Sequence, residues 1–493
     1  GMQEAILNAA MPGSSATKDR VPALPHVPVQ RAGVTLYPDR TRVLIRPFRL
    51  TSDQRCVNIC ARVVSLSDAE VRAQLDQVLA EFGDRHLQIS ELLRSRYEQM
   101  KRCLLTNQKL SDERQLLIGA YFTHEYALEA AALFNPSIVP HPDQSGLEAG
   151  ALRFILSLRA TGEGHISSIT FRTGIVHPGP RVTLNTPTRF LIEPRQMPNA
   201  SYEKEMFERK LFELGLTSPF SRRVMGELKE VFTLDDLRRK LQGVLRLVRA
   251  TDPETESISR SILLLAESNY QVVFPPESRV SERVIFPTSP TQTNGIEDAR
   301  FVRFENEDGT TSYYATYTAF DGKLILPQLL ETNDFLHFKF LTLNGPAVSN
   351  KGMALFPRKI NDLYAMLSRQ DNENIYLMYS DNLHFWYAPE PLLKPTFPWE
   401  FVQLGNCGSP METEAGWLVL SHGVGPMRKY CIGAFLLDRN DPGKVIGRLR
   451  EPLLKPDGDE REGYVPNVVY TCGALIHDRH LILPYAMSDY ATN

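Results

Sequence analysis

The stretch "TNGIEDARF", residues 293–301, sets Glu297 and Asp298 side by side with Arg300 two positions on, between a loop signal and an apolar run. Such a trio could supply a proton donor held by a guanidinium, or grip sugar hydroxyls through charge-assisted hydrogen bonds. A Glu-Asp pair at a turn is ordinarily solvated, so the rest of the chain has to decide between these readings. Five other stretches bear on it: "ALRFILSLR", "TSYYATYTA", "DLYAMLSRQ", "GWLVLSHG" and "RHLILPYAMSD". Each starts at a turn, runs apolar and closes on a polar group, namely Arg159, Tyr317, Arg369, His422 and Asp489. Singly these are ordinary features, such as a rim ion pair, a core histidine or a turn aspartate. At matching positions of a repeat they would converge on one place.

The spacing supports a repeat. From Tyr317 to Arg369 is 52 residues, from Arg369 to His422 is 53, and from His422 to Asp489 is 67. These steps approach the roughly 40 to 50 residue period of propeller blades. The 158 residues between Arg159 and Tyr317 contain a helical block. The expected fold is therefore mainly β, a five-bladed β-propeller with additional N-terminal and inserted α-helical segments. The polar strand ends would line its central funnel, and the Glu297-Asp298 loop would enter the same funnel.

Helical signals set the expected boundaries. Ser67-Asp68 caps an apolar pattern at Val71, Leu75, Val78 and Leu79, and Thr233 precedes Asp235-Asp236 ahead of "LRRKLQGVLRLV". From Arg260 onward, short apolar runs alternate with turn residues, as in an all-β region. We expect a flexible tail over 1–30, where Gly1 before Met2 reads as a tag scar, and an extended segment joining the propeller over 31–66. A helical segment then covers 67–148, a first blade region 149–200, a helical insertion 201–255, and the remaining blades 256–493.

Composition excludes several classes of partner. Across 493 residues, 42% are hydrophobic and 23% charged, and the net charge is only -3, which advertises neither nucleic acid nor membrane. We find no leader-like N-terminal pattern and no run of eighteen or more apolar residues, so the expectation is a soluble, cytoplasmic protein, with homo-oligomerisation left open. Cys56, Cys60, Cys103, Cys407, Cys431 and Cys472 lack paired spacing, which implies reduced thiols and no metal site.

"NGIEDAR", "YYATYTAFDG", "NKGMALFPRKI", "SDNLHFW", "GWLVLSHGVGPMRKYCIGAFLLDRNDPGKVIGR" and "EREGYVPNVVYTCGALI" follow one another in an order that resembles glycoside hydrolase family 130. That family comprises mannoside phosphorylases and related mannosidases. The resemblance runs from about Ser281 to the C-terminus, with "RVLIRPF" and "LRATGEGHISSI" as earlier pieces. It implies a five-bladed propeller with a central active site and a single proton donor, the aspartate of a Glu-Asp-Pro-Arg motif, which falls on Asp298. Ala299 stands here in place of the motif's proline. In the phosphorylases the acid acts through a sugar hydroxyl while inorganic phosphate attacks the anomeric carbon with inversion.

Phosphate demands a cationic, donor-rich pocket, and Lys351, Arg369, His422, Arg428 and Tyr430 meet that demand chemically. The resemblance favours Lys351, His422 and Tyr430. Arg46, Arg159 and Asp489 would hold the sugar, with Glu297 and Arg300 beside the acid. "GVGPMR" lacks the Gly-Lys-Ser/Thr ending of a nucleotide loop, so no cofactor is implied beyond phosphate as co-substrate. The partners would be a small oligosaccharide and phosphate. Two other readings stand beside this one. An inverting hydrolase would need a carboxylate base, with Glu460, Glu462, Glu412 and Glu414 as candidates. A noncatalytic glycan-binding propeller would need the acid position to be lost, and Asp298 is present.

Overall fold

The computed structural model describes residues 21–197, 201–248, 252–287, 295–320 and 325–493. Residues 1–20, most of the expected tail, and Thr293 and Asn294 of the opening stretch lie outside them. The architecture is mainly β with helical segments. Five sheets of three or more strands succeed one another, and every pairing within them is antiparallel.

In the first sheet, strand Ala132–Pro140 lies at one edge beside Leu152–Thr161, which in turn pairs with Ser167–His177. Ile296–Glu305 takes the same edge place in the second, beside Thr311–Phe320. Ala354–Leu355 and Gln403–Asn406 open the third and fourth sheets, beside Tyr364–Ser368 and Gly416–Val424. Val469–Tyr470 opens the fifth, beside Ala486–Met487.

Backbone bonds tie the second sheet to the third, the third to the fourth and the fourth to the fifth. Glu305 N–H donates to the Pro357 carbonyl at 2.8 Å, Leu404 to Glu373 at 3.1 Å, and Tyr430 to Asn467 at 3.0 Å. The last sheet meets the first where Cys472 N–H donates to the Pro136 carbonyl and Leu133 N–H to that of Tyr490, both at 2.8 Å. Apolar clusters fill the seams. Phe171, Phe301 and Phe335 join the first two sheets, Met366 and Trp386 the second and third, and Trp417 and Leu377 the third and fourth. Ile432 with Val469, and Phe134 with Tyr470, occupy the remaining two. Burying aromatic rings between twisted sheets supplies most of the cohesion of such a layered β structure.

The N-terminal third differs from expectation in two places. Residues 31–66 hold one strand, Val43–Pro47, but then a helix, Asp53–Val64, whose first turn is capped by Ser52 accepting from Arg55 N–H. Helices Asp68–Phe82, Ile89–Met100 and Asp112–Tyr121 follow, the first capped by Ser67 as its sequence suggests. Helix then gives way to strands Thr123–Ala127 and Ala132–Pro140 inside the span expected to be helical. All but the last residue of Ala132–Pro140 are buried, and a run apolar on both faces carries no periodicity to separate strand from helix.

The inserted helices Lys204–Glu213, Pro219–Gly226, Leu234–Val248 and Pro253–Glu267 enclose their own core of Phe207, Val224, Phe232, Leu241 and Ile262. Thr233 and Asp236 cap each other reciprocally at the third of them, as the sequence indicates. The fourth extends past residues 255 and 260, because Asp252 caps it and Pro253 starts it. Among the described residues no helix is long and apolar enough to cross a membrane. All six cysteines are buried and unpaired.

Candidate active site

Two β-bulges place the acid. Pairing of Ile296–Glu305 with its neighbour slips between Glu297 and Arg300, and Asp298 there adopts a left-handed φ of 54°. Strand Ala132–Pro140 slips in the same way between Phe134 and Ser137, where Asn135 has φ 50°. Asp and Asn tolerate this conformation better than other side-chain-bearing residues, and a bulge turns a side chain out of the alternation of its strand. The two turned-out side chains meet, with the Asn135 amide donating to Asp298 Oδ1 at 2.6 Å. Ser137 Oγ accepts from Phe301 N–H at 3.0 Å and locks the two strands in this register.

Cations surround the carboxylate. Arg159 reaches Asp298 Oδ1 at 3.5 Å and Glu297 Oε1 at 3.3 Å, while Lys351 Nζ reaches Glu297 Oε2 at 3.5 Å. Burial alone would raise the Asp298 pKa, but Arg159, Lys351, Arg300 and the Asn135 hydrogen bond outweigh it and hold the carboxyl at about 2. Asp489 behaves oppositely. Burial and the neighbouring charge of Asp298 push it up to about 6, against the pull of Arg159, Arg428 and Lys351. Two carboxyl groups facing one cationic cluster thus hold protons in different pH ranges, an arrangement frequent where acid chemistry is done.

Arg300 does not face outward. It is 2% exposed and donates to the Cys407 carbonyl, the Asp298 carbonyl and the Tyr470 hydroxyl, so it anchors the bulge and is not available to a sugar. Arg46 pairs with Glu193 and lies over the Phe286 ring at 4.1 Å, with no hydrogen bond to Glu297 or Asp298. His422, expected to add charge for phosphate, is fully buried behind Arg369, and its pKa is held well below the usual imidazole value by burial and by Arg369 and Arg300. Its environment accommodates a neutral ring. Arg369 itself is 6% exposed, with Nε unpartnered. Arg428 sits exposed on the turn after Gly425, its guanidinium 5.6 Å from the centre of the Tyr430 ring.

The candidate hydrolytic bases are engaged elsewhere or outside the cluster. Glu460 is buried and accepts from Arg31, Tyr485 and Asn493. Glu412 accepts from Nε and Nη2 of Arg358, both at 2.8 Å, and from Arg439 Nε at 3.0 Å. Glu414 is exposed on a turn, and Glu462 is exposed just after the short helix Gly458–Arg461. Of the five repeat-end residues, Arg159, Arg369, His422 and Asp489 belong to the cluster. Tyr317 instead packs edge-on against Phe340 within the apolar core.

These repeat ends lie on or just after the second strand of each sheet. The edge strands beside them carry Asn135, Asp298, Asn406 and Tyr470, and Asn406 holds the loop after Lys351 by donating to the Gly352 carbonyl at 2.6 Å. Asn135, Gln403, Asn406 and Tyr470 were not anticipated. Only Asn135 carried a usable signal, an Asn-Pro step inside an apolar run. Among the described residues no group of three or more His, Cys, Asp or Glu side chains is placed to hold a metal ion.

A family model described as β-1,4-mannooligosaccharide phosphorylase matches residues 239–493, the part that carries Asp298, Lys351, Arg369 and Asp489. The chain belongs to glycoside hydrolase family 130. Within it, the chain is 37% identical over 219 residues to a 1,2-β-oligomannan phosphorylase of Thermoanaerobacter sp. (strain X514), covering 43% of this chain and 71% of that one. It is 33% identical over 217 residues to a β-1,2-mannobiose phosphorylase of Listeria innocua, covering 42% of this chain and 58% of the relative. The structure of a β-1,2-mannobiose phosphorylase from Listeria innocua, in complex with β-1,2-mannobiose, aligns over 74% of this chain and 89% of that chain, with 21% identity and a TM-score of 0.43. The family-130 match leaves the helices before residue 239 outside it.

Proposed function

We propose that this chain is an inverting phosphorylase that cleaves a β-mannoside with inorganic phosphate to give mannose 1-phosphate. The observation that carries the reading is the company Asp298 keeps: one buried carboxylate among Arg159, Lys351 and the Arg369 cluster, with every candidate hydrolytic base tied up or exposed. A cationic pocket suits an anionic nucleophile better than water, which would need a free carboxylate base. The five successive sheets, tied in sequence and from last to first, support a single five-bladed propeller with the Asp298 cluster at its centre.

In the unliganded site Asp298 is ionised, because the neighbouring cations depress its pKa. Phosphate would neutralise Lys351 and add a like charge nearby, and both effects raise the proton affinity of Asp298. Nucleophile binding would therefore arm the acid. A phosphate oxygen then bonds to the anomeric carbon as the glycosidic bond breaks. The Asp298 proton passes through a sugar hydroxyl to the departing oxygen, which leaves as the acceptor's hydroxyl. Arg369, Arg428, Lys351 and Tyr430 hold the phosphate, while Arg159, Glu297 and Asp489 hold the mannosyl unit.

The test is to offer β-1,2- and β-1,4-mannobiose, the linkages in the names of the relatives, with and without phosphate. Strictly phosphate-dependent release of sugar 1-phosphate is expected. Phosphate-independent release of mannose would replace this reading with hydrolysis, and binding without turnover would make the protein a glycan-binding module.

A further inference from the structure

A groove opens beside the candidate active site. Phe397, Trp399, Pro426, Lys429, Arg450 and Glu451 line a space of about 530 Å³, within the roughly 300 to 1,000 Å³ span of small-molecule sites. It adjoins the proposed phosphate pocket through the chain itself, because Lys429 stands between Arg428 and Tyr430. One turn, closed by the Gly425 N–H donating to the Lys429 carbonyl at 3.1 Å, carries both Arg428 and the groove residues Pro426 and Lys429.

The aromatic walls are fixed in place by the protein alone. The Phe397 and Trp399 rings lie 10° from parallel, with centres 6.4 Å apart. The Arg448 guanidinium lies 4.7 Å from the centre of the Phe397 ring, and it is buried and paired with Glu400. Glu400 is fully buried and also accepts from the Thr396 and Phe397 N–H groups at 2.7 Å and 3.0 Å, so a buried ion pair holds the loop that presents Phe397. Trp399 donates from Nε1 to the Arg450 carbonyl at 2.8 Å. A Cβ on Gly433 would stand 2.4 Å from its Cη2, and one on Gly423 would stand 2.6 Å from its Cε3, so the indole lies where it does only because both positions are glycine. The chemistry at Asp298 uses none of these residues. Rigid aromatic side chains held before a ligand arrives lose little freedom on binding it.

The geometry points to a distal sugar-binding subsite: the groove holds mannosyl units of a β-mannan chain beyond those at Asp298, so the protein acts on oligosaccharides longer than a disaccharide. This rests on the phosphorolytic reading of the site and names the chain length of its substrate. Release of mannose 1-phosphate requires the mannosyl unit at Asp298 to end the chain, so the remainder extends on the acceptor side. A β-mannopyranosyl ring has three axial hydrogens on one face, an apolar patch that fits an aromatic ring, and hydroxyls around its edge. The rim matches a neutral polyol, because Lys429 and Arg450 can donate and Glu451 can accept, and all three are exposed. Among the described residues no ion pair engages any of the three. A phosphorylated ligand would meet the Glu451 carboxylate, and an apolar peptide would desolvate three charges.

The experiment compares β-mannobiose with β-mannotetraose, in β-1,2 and in β-1,4 linkage, by phosphorolysis kinetics for wild type, Phe397→Ala and the rim variant Lys429→Ala/Glu451→Ala. In wild type, kcat/KM for the tetraose of the accepted linkage should exceed that for the mannobiose by about tenfold or more. Phe397→Ala should lower that ratio roughly threefold to tenfold, through the KM for tetraose, as one ring contact is lost. Its constants for mannobiose and for phosphate should stay within about twofold of wild type. The rim variant changes only exposed side chains and should lower the ratio about threefold. Fluorescence gives a readout independent of turnover. Trp399 is half-buried whereas Trp386 and Trp417 are fully buried, so tetraose should change the tryptophan emission and mannobiose should not. Equal kcat/KM for the two chain lengths in wild type, equal losses on both in the variants, or equal emission changes with both would overturn the inference. A dimer that Phe397→Ala dissolves, with chain-length preference unchanged, would make the groove a contact between copies and overturn it as well. Wild-type protein that turns over neither substrate with phosphate, or both without it, would overturn the phosphorylase reading instead.

Discussion

Replacing Asp489 by asparagine should make the protein more stable relative to wild type as the pH rises, although it removes a charged group from a cationic cluster. In the folded chain the carboxyl titrates at about 6, raised from its ordinary 3.8 by burial and by Asp298. That rise corresponds to about 3 kcal/mol favouring the protonated form in the folded state. A carboxyl that holds its proton more tightly when folded favours folding fully only below about pH 4. The advantage fades as the pH climbs through about 6, and above that the folded state bears the whole cost of the buried charge. Asparagine resembles the protonated carboxyl and does not titrate, so the variant escapes this loss.

Unfolding entropy of about 2.1 cal/mol/K per residue over 493 residues is about 1 kcal/mol/K, so the difference in Tm between variant and wild type should grow by about 3 °C from pH 4 to pH 8. Differential scanning calorimetry at several pH values reads it directly. Any constant offset from altered packing cancels, because only the pH dependence of the difference is used. A difference that stays constant across this range, or that shifts in favour of wild type at high pH, would refute the placement of Asp489 beside the Asp298 charge.

Asp298→Asn should preserve sugar binding but cut turnover on mannobiose by about a hundredfold or more, with a smaller loss on an activated aryl mannoside whose leaving group needs less protonation. Near-normal turnover in this variant together with a dead Glu297→Gln would reverse the roles within the pair. Asn135→Leu deletes the 2.6 Å bond to Asp298 and should lower kcat/KM roughly tenfold to a hundredfold while leaving phosphate affinity nearly unchanged; steady-state kinetics with each substrate varied checks this. Arg428→Ala should raise the KM for phosphate more than that for mannoside, by up to about tenfold, because an exposed guanidinium contributes less than a buried one. Exhaustive chelation should leave activity undiminished, and restoration by an added metal would count against a metal-free mechanism.

From the sequence alone come the mainly β character after the inserted helices, the caps at Ser67 and Thr233, the Glu297-Asp298-Arg300 motif and the repeat of polar strand ends. All of these are written locally, in capping residues, in turn residues and in a motif a few residues long. The repeat was legible because it marks the second strand of each sheet, whose apolar run is long and regular. The edge strands that carry Asn135, Asn406 and Tyr470 are short or bulged and escaped notice. Only the tertiary structure decided that Asn135, 163 residues away in the chain, holds Asp298, that Arg300 faces inward and that His422 is buried against Arg369. It also decided that Glu460 and Glu412 are fully engaged. Each of these depends on which strands adjoin and where their pairing slips by one residue. Composition and periodicity record which residues can be buried, whereas orientation and partner choice are settled by contacts between segments far apart in the chain.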